Sequence, residues 1–153
     1  MSKKSVLIVP DTNIFLNAML GKGMFPIDMQ ILDLEEQNKI KFATSEYTQN
    51  ELYKIISREI EIRNIFDCRD IYIAIYHILE RSKFIPTPFQ TDKLSTDKSD
   101  QFFLDLAVHA GADFFVSNDT KNNLLNIGEH KNVKIVKPKK FLRDYKKNLR
   151  NAK

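Results

Sequence analysis

The sequence predicts an α/β fold, a three-layer α/β/α sandwich around a mainly parallel central sheet, on three observations. Short apolar runs alternate along the whole chain with longer segments whose apolar residues recur at helical spacing. The first of these runs, Val6–Val9, is apolar at every position and rich in β-branched residues, as in a strand covered on both faces. The 153 residues, 42% of them hydrophobic, contain no internal repeat and suit one domain spanning 1–153 with one sizeable core.

The elements follow in order. Val6–Val9 is the first strand, ending at Pro10-Asp11, and Thr12 and Asn13 are candidate caps for a helix through Leu20 that Gly21 would stop. Pro26 opens a second helix with Ile27, Ile31, Leu32 and Leu34 on its apolar side, before the polar stretch Glu35–Lys39. Ile40–Thr44 reads as a strand, and Ser45 as the N-cap of a helix carrying Tyr47, Glu51, Leu52, Ile55 and Ile56. Ile71, Ile75, Ile78 and Leu79 place a further helix around Arg69–Arg81, and Phe84 and Ile85 a short strand. Thr87–Ser99 is polar and turn-rich and reads as a loop. Phe103, Leu104, Ala107, Val108 and Ala110 then share a helix face that Gly111 ends, and Phe114–Val116 is the next strand. Val133–Val136 is the last strand, and Pro138 begins a basic helix running to about Leu149.

Charge is unevenly distributed. Of the 24 Lys and Arg, ten lie in residues 131–153 beside a single acid, Asp144, so the first 130 residues carry fourteen bases against nineteen acids despite a net charge of +4. An acidic body joined to a basic tail suits a partner rich in phosphate, although a basic helix face can equally be a solvated surface. No apolar run approaches the roughly 18 residues of a membrane helix, and the start MSKKSVLIVP is too short in its apolar part for a signal peptide. A cytoplasmic protein with no membrane partner is therefore expected. Cys68 stands alone, which excludes an internal disulfide and a thiolate metal cage, and it reads as a partly buried small apolar residue.

In open parallel sheets, ligands bind beyond the carboxyl ends of the strands. Asp11 follows the first strand and Asp119 the strand Phe114–Val116, so their side chains meet in one crevice if those strands are neighbours. Either could instead cap a helix. Glu51 sits on its helix between Tyr47 and Ile55, one turn to each side, but Glu59 falls in the same apolar arc, and periodicity alone does not separate Glu51 from a surface acid. Asp100 opens a helix one turn before Phe103 and Leu104, which aims it toward the sheet side; its alternative is a favourable charge at a positive helix end.

The ordered segments VLIVPDTNIFLNAML, SEYTQNELYKII and DKSDQFFLDLAVHAGADFFVSNDTKNNLL, with the closing KPKKFL, resemble the PIN-domain nucleases, particularly the small prokaryotic toxin-like (VapC-type) members. The resemblance covers nearly the whole chain. It implies a divalent-metal-dependent ribonuclease in which Asp11, Glu51, Asp100 and Asp119 hold Mg2+ or Mn2+, Asn13 supports Asp11, and Ser117 occupies a position where many members carry a hydroxyl. Asp97, in a D-x-x-D spacing with Asp100, is either an accessory acid or a loop cap. Pro10 directly before the first Asp departs from the family pattern. A toxin of a type II toxin–antitoxin pair, with a cognate antitoxin and a homodimer, is implied in the same way.

The chemistry of such a set also stands without the family. Two like charges about 4 Å apart repel by roughly 4 kcal/mol at an effective dielectric of about 20, so clustered carboxylates need cations, and hard oxygen donors select magnesium or manganese. His77, His109 and His130 are not needed for that chemistry. Lys139, Lys140, Arg143, Lys146 and Lys147 recur on neighbouring turns of the last helix and are the candidate RNA-phosphate contacts. Two rival readings remain. One is a PIN-like domain that binds RNA or a partner without cutting. The other is a haloacid-dehalogenase-like phosphatase, which the Asn at position 13 disfavours because it cannot act as the second, proton-donating acid.

Overall fold

The computed structural model describes residues 5–86, 93–94, 98–118 and 124–151. Along the chain run β1 (Val6–Pro10), α1 (Thr12–Leu20), α2 (Pro26–Glu36), β2 (Ile40–Ser45), α3 (Glu46–Ile62), α4 (Arg69–Arg81), β3 (Lys83–Ile85), α5 (Lys98–Ala110), β4 (Phe114–Val116), α6 (Leu124–Ile127), β5 (Glu129–His130), β6 (Val133–Val136) and α7 (Pro138–Asn151). The expected alternation is present, and the sheet has the order β3-β2-β1-β4-β6-β5. Its pairings are parallel except for the β5–β6 hairpin at one edge.

Period-two alternation sends neighbouring strand residues to opposite faces. Ile8, Phe42 and Phe114 join a core with Ile14, Phe15, Ile56, Ile75 and Phe141, under α1, α2, α3, α4 and α7. Val9, Ala43 and Phe115 join the second core with Phe103, Leu104 and Ala107 of α5 and Leu124 of α6. The layers are therefore unequal, with five helices on one face and α5 with the short α6 on the other. Val9, Phe115 and Val116 are all nearly inaccessible, which explains why the central strands read as continuous apolar runs.

Local chemistry explains most boundaries. Ser45 caps α3 through a reciprocal box in which Thr48 N–H donates to Ser45 Oγ (3.2 Å) and Ser45 N–H to Thr48 Oγ1 (2.8 Å). Pro26 and Pro138 open α2 and α7, where a missing N–H costs nothing. Gly21 ends α1 as expected, with an ordinary φ of −81°. A Cβ there would lie 2.3 Å from Asn17 O and 2.5 Å from the Phe25 ring, so close approach demands the glycine. Two elements were not anticipated. α6 has four residues and β5 two, too few to show a period, and the β5–β6 turn uses Lys131 and Asn132 at positive φ (48° and 70°) rather than glycine.

One buried ion pair ties the helical layer together. Glu35 of α2, 2% exposed, accepts both Arg81 Nε (2.9 Å) and Nη2 (2.7 Å) from the end of α4. The fork geometry satisfies both carboxylate oxygens, and the pairing raises the Arg81 pKa further. Because Arg81 is one-third exposed (33%), the effect of removing it is discounted below that of a fully buried pair. Arg81→Ala is expected to cost about 2–3 kcal/mol in urea denaturation, by leaving Glu35 buried without its partner. A loss under about 0.5 kcal/mol, the size of an ordinary surface change, would show that solvent takes over the guanidinium's role.

Candidate functional site

The strand order reverses its direction of growth between β1 and β4. From β1 the chain adds β2 and then β3 on one side, then crosses to lay β4 on the other. A crevice opens at the carboxyl end of such a switch point. Asp11 and Ser117 stand at its two lips, because Pro10 pairs with Val116 in register. Pro10 is accommodated without a lost ladder bond toward β4, since Asp11 supplies the N–H that reaches Val116 O (2.9 Å).

Asp11 is 6% exposed. It is itself the N-cap of α1, one residue earlier than expected, in an extended conformation with Oδ1 accepting Ile14 N–H at 3.3 Å. Its Oδ2 accepts the Ser117 hydroxyl at 2.5 Å and the Asn118 main-chain N–H at 3.2 Å. Capping engages Oδ1, whereas Oδ2 takes its donors from the residues that follow β4. Burial pushes its pKa up from 3.8 to about 6, against the lowering effect of the hydrogen bonds from Ser117, Asn118, Ile14 and Asn13. The Asn13 contribution comes from its backbone; its side chain is exposed.

The other candidate acids lie on elements that begin at the same end of the sheet. Glu51 is half-buried in the second turn of α3, which starts directly after β2, and Asp100 is half-buried in the first turn of α5, which leads back to β4. Tyr47, one turn before Glu51, stacks on Phe102, two residues after Asp100, with ring centroids 4.1 Å apart. That stack joins α3 to α5 close to both acids. Glu59, the competing acid of α3, pairs with Arg63 at 3.4 Å on the surface. Asp97 and Asp119 lie outside the described residues, and among the described residues no three His, Cys, Asp or Glu side chains gather closely enough to hold a metal ion. His77 and His109 are exposed, on α4 and α5.

Three residues around Asp11 escaped the sequence reading. Asp28 of α2, 4% exposed, accepts Asn17 Nδ2 (2.9 Å) and Asn118 Nδ2 (3.2 Å) on its Oδ2. It sits just after Pro26, where an acid looks like an ordinary helix-start charge, and the amides that find it come from distant parts of the chain.

The donor chemistry fits a hard divalent cation. Asp11 is a buried carboxylate at the crevice, its aim fixed by neutral donors, and no Lys or Arg ion pair to it occurs among the described residues. A cation would offset the burial that now favours its protonated form. The same burial sets a pH dependence. With its folded pKa raised above the unfolded value, Asp11 contributes stability that is fully present below pH 3.8 and lost as pH rises through about 6. Asp11→Asn should therefore gain on the wild type by about 3 kcal/mol across that window in chelator, and should lack any Mn2+-induced rise in Tm that depends on Asp11. Melts showing a pH-independent difference, or a variant with the wild-type Mn2+ shift, would make Asp11 a cap alone.

No helix among the described residues is long and apolar enough to cross a membrane. No curated protein matches the sequence. A family model described as PIN domain matches residues 7–121, a span that includes Asp11, Glu51, Asp100 and Asp119. PIN domains are in general nucleases that use divalent metals such as Mg2+ or Mn2+ and act on nucleic acid. With the parallel sheet and flanking helices already in place, a match over three-quarters of the sequence means that this chain belongs to the PIN-domain family.

Proposed function

We propose that the chain is a divalent-metal-dependent ribonuclease that hydrolyses phosphodiester bonds, with Asp11, Glu51, Asp100 and Asp119 as the metal-holding acids. The observation that carries this reading is the buried Asp11 carboxylate, held at the β1/β4 crossover by Ser117 and Asn118 and lacking a cationic partner among the described residues. Bound there, the ion would supply a water of lowered pKa and neutralise charge on the phosphate. Ser117 and Asn118 keep Asp11 Oδ2 in place, so the carboxylate need not reorganise when the phosphate arrives. The Tyr47–Phe102 stack fixes the spacing of the helices that carry Glu51 and Asp100. Asp97 is an accessory acid in this scheme. A toxin role with a cognate antitoxin, in a homodimer, is the biological setting proposed for the activity.

The substrate path is proposed over α7. Phe141, Leu142 and Tyr145 bury one face of this helix, leaving Lys139, Lys140, Arg143, Lys146 and Lys147 exposed on the other. Lys140 also pairs with Asp144 at 3.0 Å. α7 starts after β6, at the crevice end of the sheet, and runs back toward the amino ends, where Asn148 lines a groove with Ser5, Asp113 and Lys134. Over its 14 residues the helix is about 21 Å long, so the five cations are not equivalent. Lys139, Lys140 and Arg143 stand nearest the crevice end.

Two experiments test this reading. Cleavage of a mixed RNA pool in Mn2+ should fall by about 10²–10³-fold in Asp11→Asn, Asp100→Asn, Asp119→Asn or Glu51→Gln, each folded by circular dichroism. Wild-type rates in any one variant would remove that residue from the site, and an inactive wild type would favour a binding domain. Neutralising Lys139 and Arg143 should weaken RNA binding and flatten the slope of log K against log salt by about 0.7 per lost contact, more than neutralising Lys146 and Lys147. Equal effects from the two pairs would spread the RNA along the whole helix; an unchanged slope would return α7 to a solvated surface.

A further inference from the structure

Beyond Ser117 N–H, which donates to Val136 O at 3.0 Å, the chain leaving β4 has passed its last described sheet bond. Asn118 is exposed, and a residue in that position ordinarily has little to hold it. Here it is held at two points. Its main-chain N–H reaches Asp11 Oδ2 at 3.2 Å, and its side-chain amide reaches Asp28 Oδ2 at 3.2 Å. Asp28 is anchored in turn by Asn17 Nδ2 at 2.9 Å, and Asn17 belongs to α1, the helix that Asp11 caps. Asp11, Asn118, Asp28 and Asn17 thus close a ring through β1, the end of β4, α2 and α1.

We propose that Asp28 is a positioning residue for the metal centre, acting through Asn118: by holding the Asn118 side chain it keeps the Asn118 N–H on Asp11 and fixes the point from which the chain continues into Asp119. The role rests on the metal-dependent nuclease reading, and it assigns a task to a buried carboxylate that this reading otherwise leaves unused. A purely structural Asp28 needs only its α1 partner, because the Asn17 bond already ties α2 to α1. The bond to Asn118 crosses 90 residues of sequence to an exposed residue, and neither partner belongs to either apolar core. Its one evident consequence is the orientation of the peptide that contacts Asp11.

The test is Mn2+ affinity, measured on the full-length protein from the electron paramagnetic resonance signal of free Mn2+, with a thermal melt for each variant. Asp28→Ala removes the oxygen that both amide donors share, and Asn118→Ala removes the link at an exposed position. Each should weaken Mn2+ binding by about tenfold, within the range expected when a ligand loses its supporting hydrogen bond. The double variant should be no weaker than either single one, because the two residues act in series. Arg81→Ala serves as the structural control, since it loosens α2 through Glu35 without touching Asn118, and it should keep the wild-type Kd while losing stability. If Asp28→Ala does not fold, Asn118→Ala carries the same expectation alone. A wild-type Kd in Asp28→Ala or Asn118→Ala, losses that multiply in the double variant, or an equal loss in Arg81→Ala would overturn the positioning role. A wild type that takes up no Mn2+ would overturn the metal reading, and this role with it.

Discussion

The buried carboxylate of Asp11 constrains much of what surrounds it. A carboxyl at 6% exposure favours its neutral form, and here burial does raise the pKa to about 6. Among the described residues, the site resists that tendency with donors rather than cations: a hydroxyl, main-chain N–H groups on its oxygens, and the opening of α1. Those donors come from β4 and α1, so Asp11 can be held only where β1 and β4 are adjacent and in this register. The strand crossover, the cap of α1 and the short β4 are thus one arrangement seen from three sides.

The same arrangement explains the unequal layers. On one face α1, α2, α3, α4 and α7 enclose Phe42, Phe114, Phe141 and a set of isoleucines, and the Glu35–Arg81 pair clamps that layer away from the crevice. On the other, α5 and the turn after it pack small residues, Ala107, Ala110 and Ala112, against Val9 and Phe115. Small residues let a helix lie close to the sheet. α5 carries Asp100 at its crevice end, and the Tyr47 ring on Phe102 locks it to α3 there. A fold that buries this much apolar surface on both sides of the sheet can tolerate an energetically unfavourable carboxylate at the end of its central strand.

Much of this was legible in the residues. Continuous apolar strands, Ser45, Pro26, Pro138 and Gly111 located most elements within a residue or two, because each acts locally. Asp11 could be placed at a crevice from its strand end, and the pairing of β1 with β4 meets the condition set for its sharing that crevice with Asp119, which itself lies outside the described residues; Ser117 came from the family resemblance. The misses have physical causes. α6 and β5 are shorter than any period, and the true cap of α1 was Asp11 itself, whose two roles one residue letter cannot distinguish. Gly21 stops α1 as expected, but the contacts with Asn17 O and Phe25 that require a glycine there are not visible in the sequence. Asp28 and Asn118 went unseen because their meaning is the bond between them, which spans 90 positions and leaves no periodic trace.

The most direct measurement is the anomalous scattering of manganese from crystals of the protein grown with Mn2+. The expected result is a peak at coordination distance, about 2.1–2.2 Å, from a carboxylate oxygen of Asp11, with Ser117 and Asn118 still on Oδ2. A peak only elsewhere on the surface, or none, with Asp11 contacted by its hydrogen-bond donors alone, would contradict the account, leaving Asp11 as a buried cap for α1 and the site without its cation.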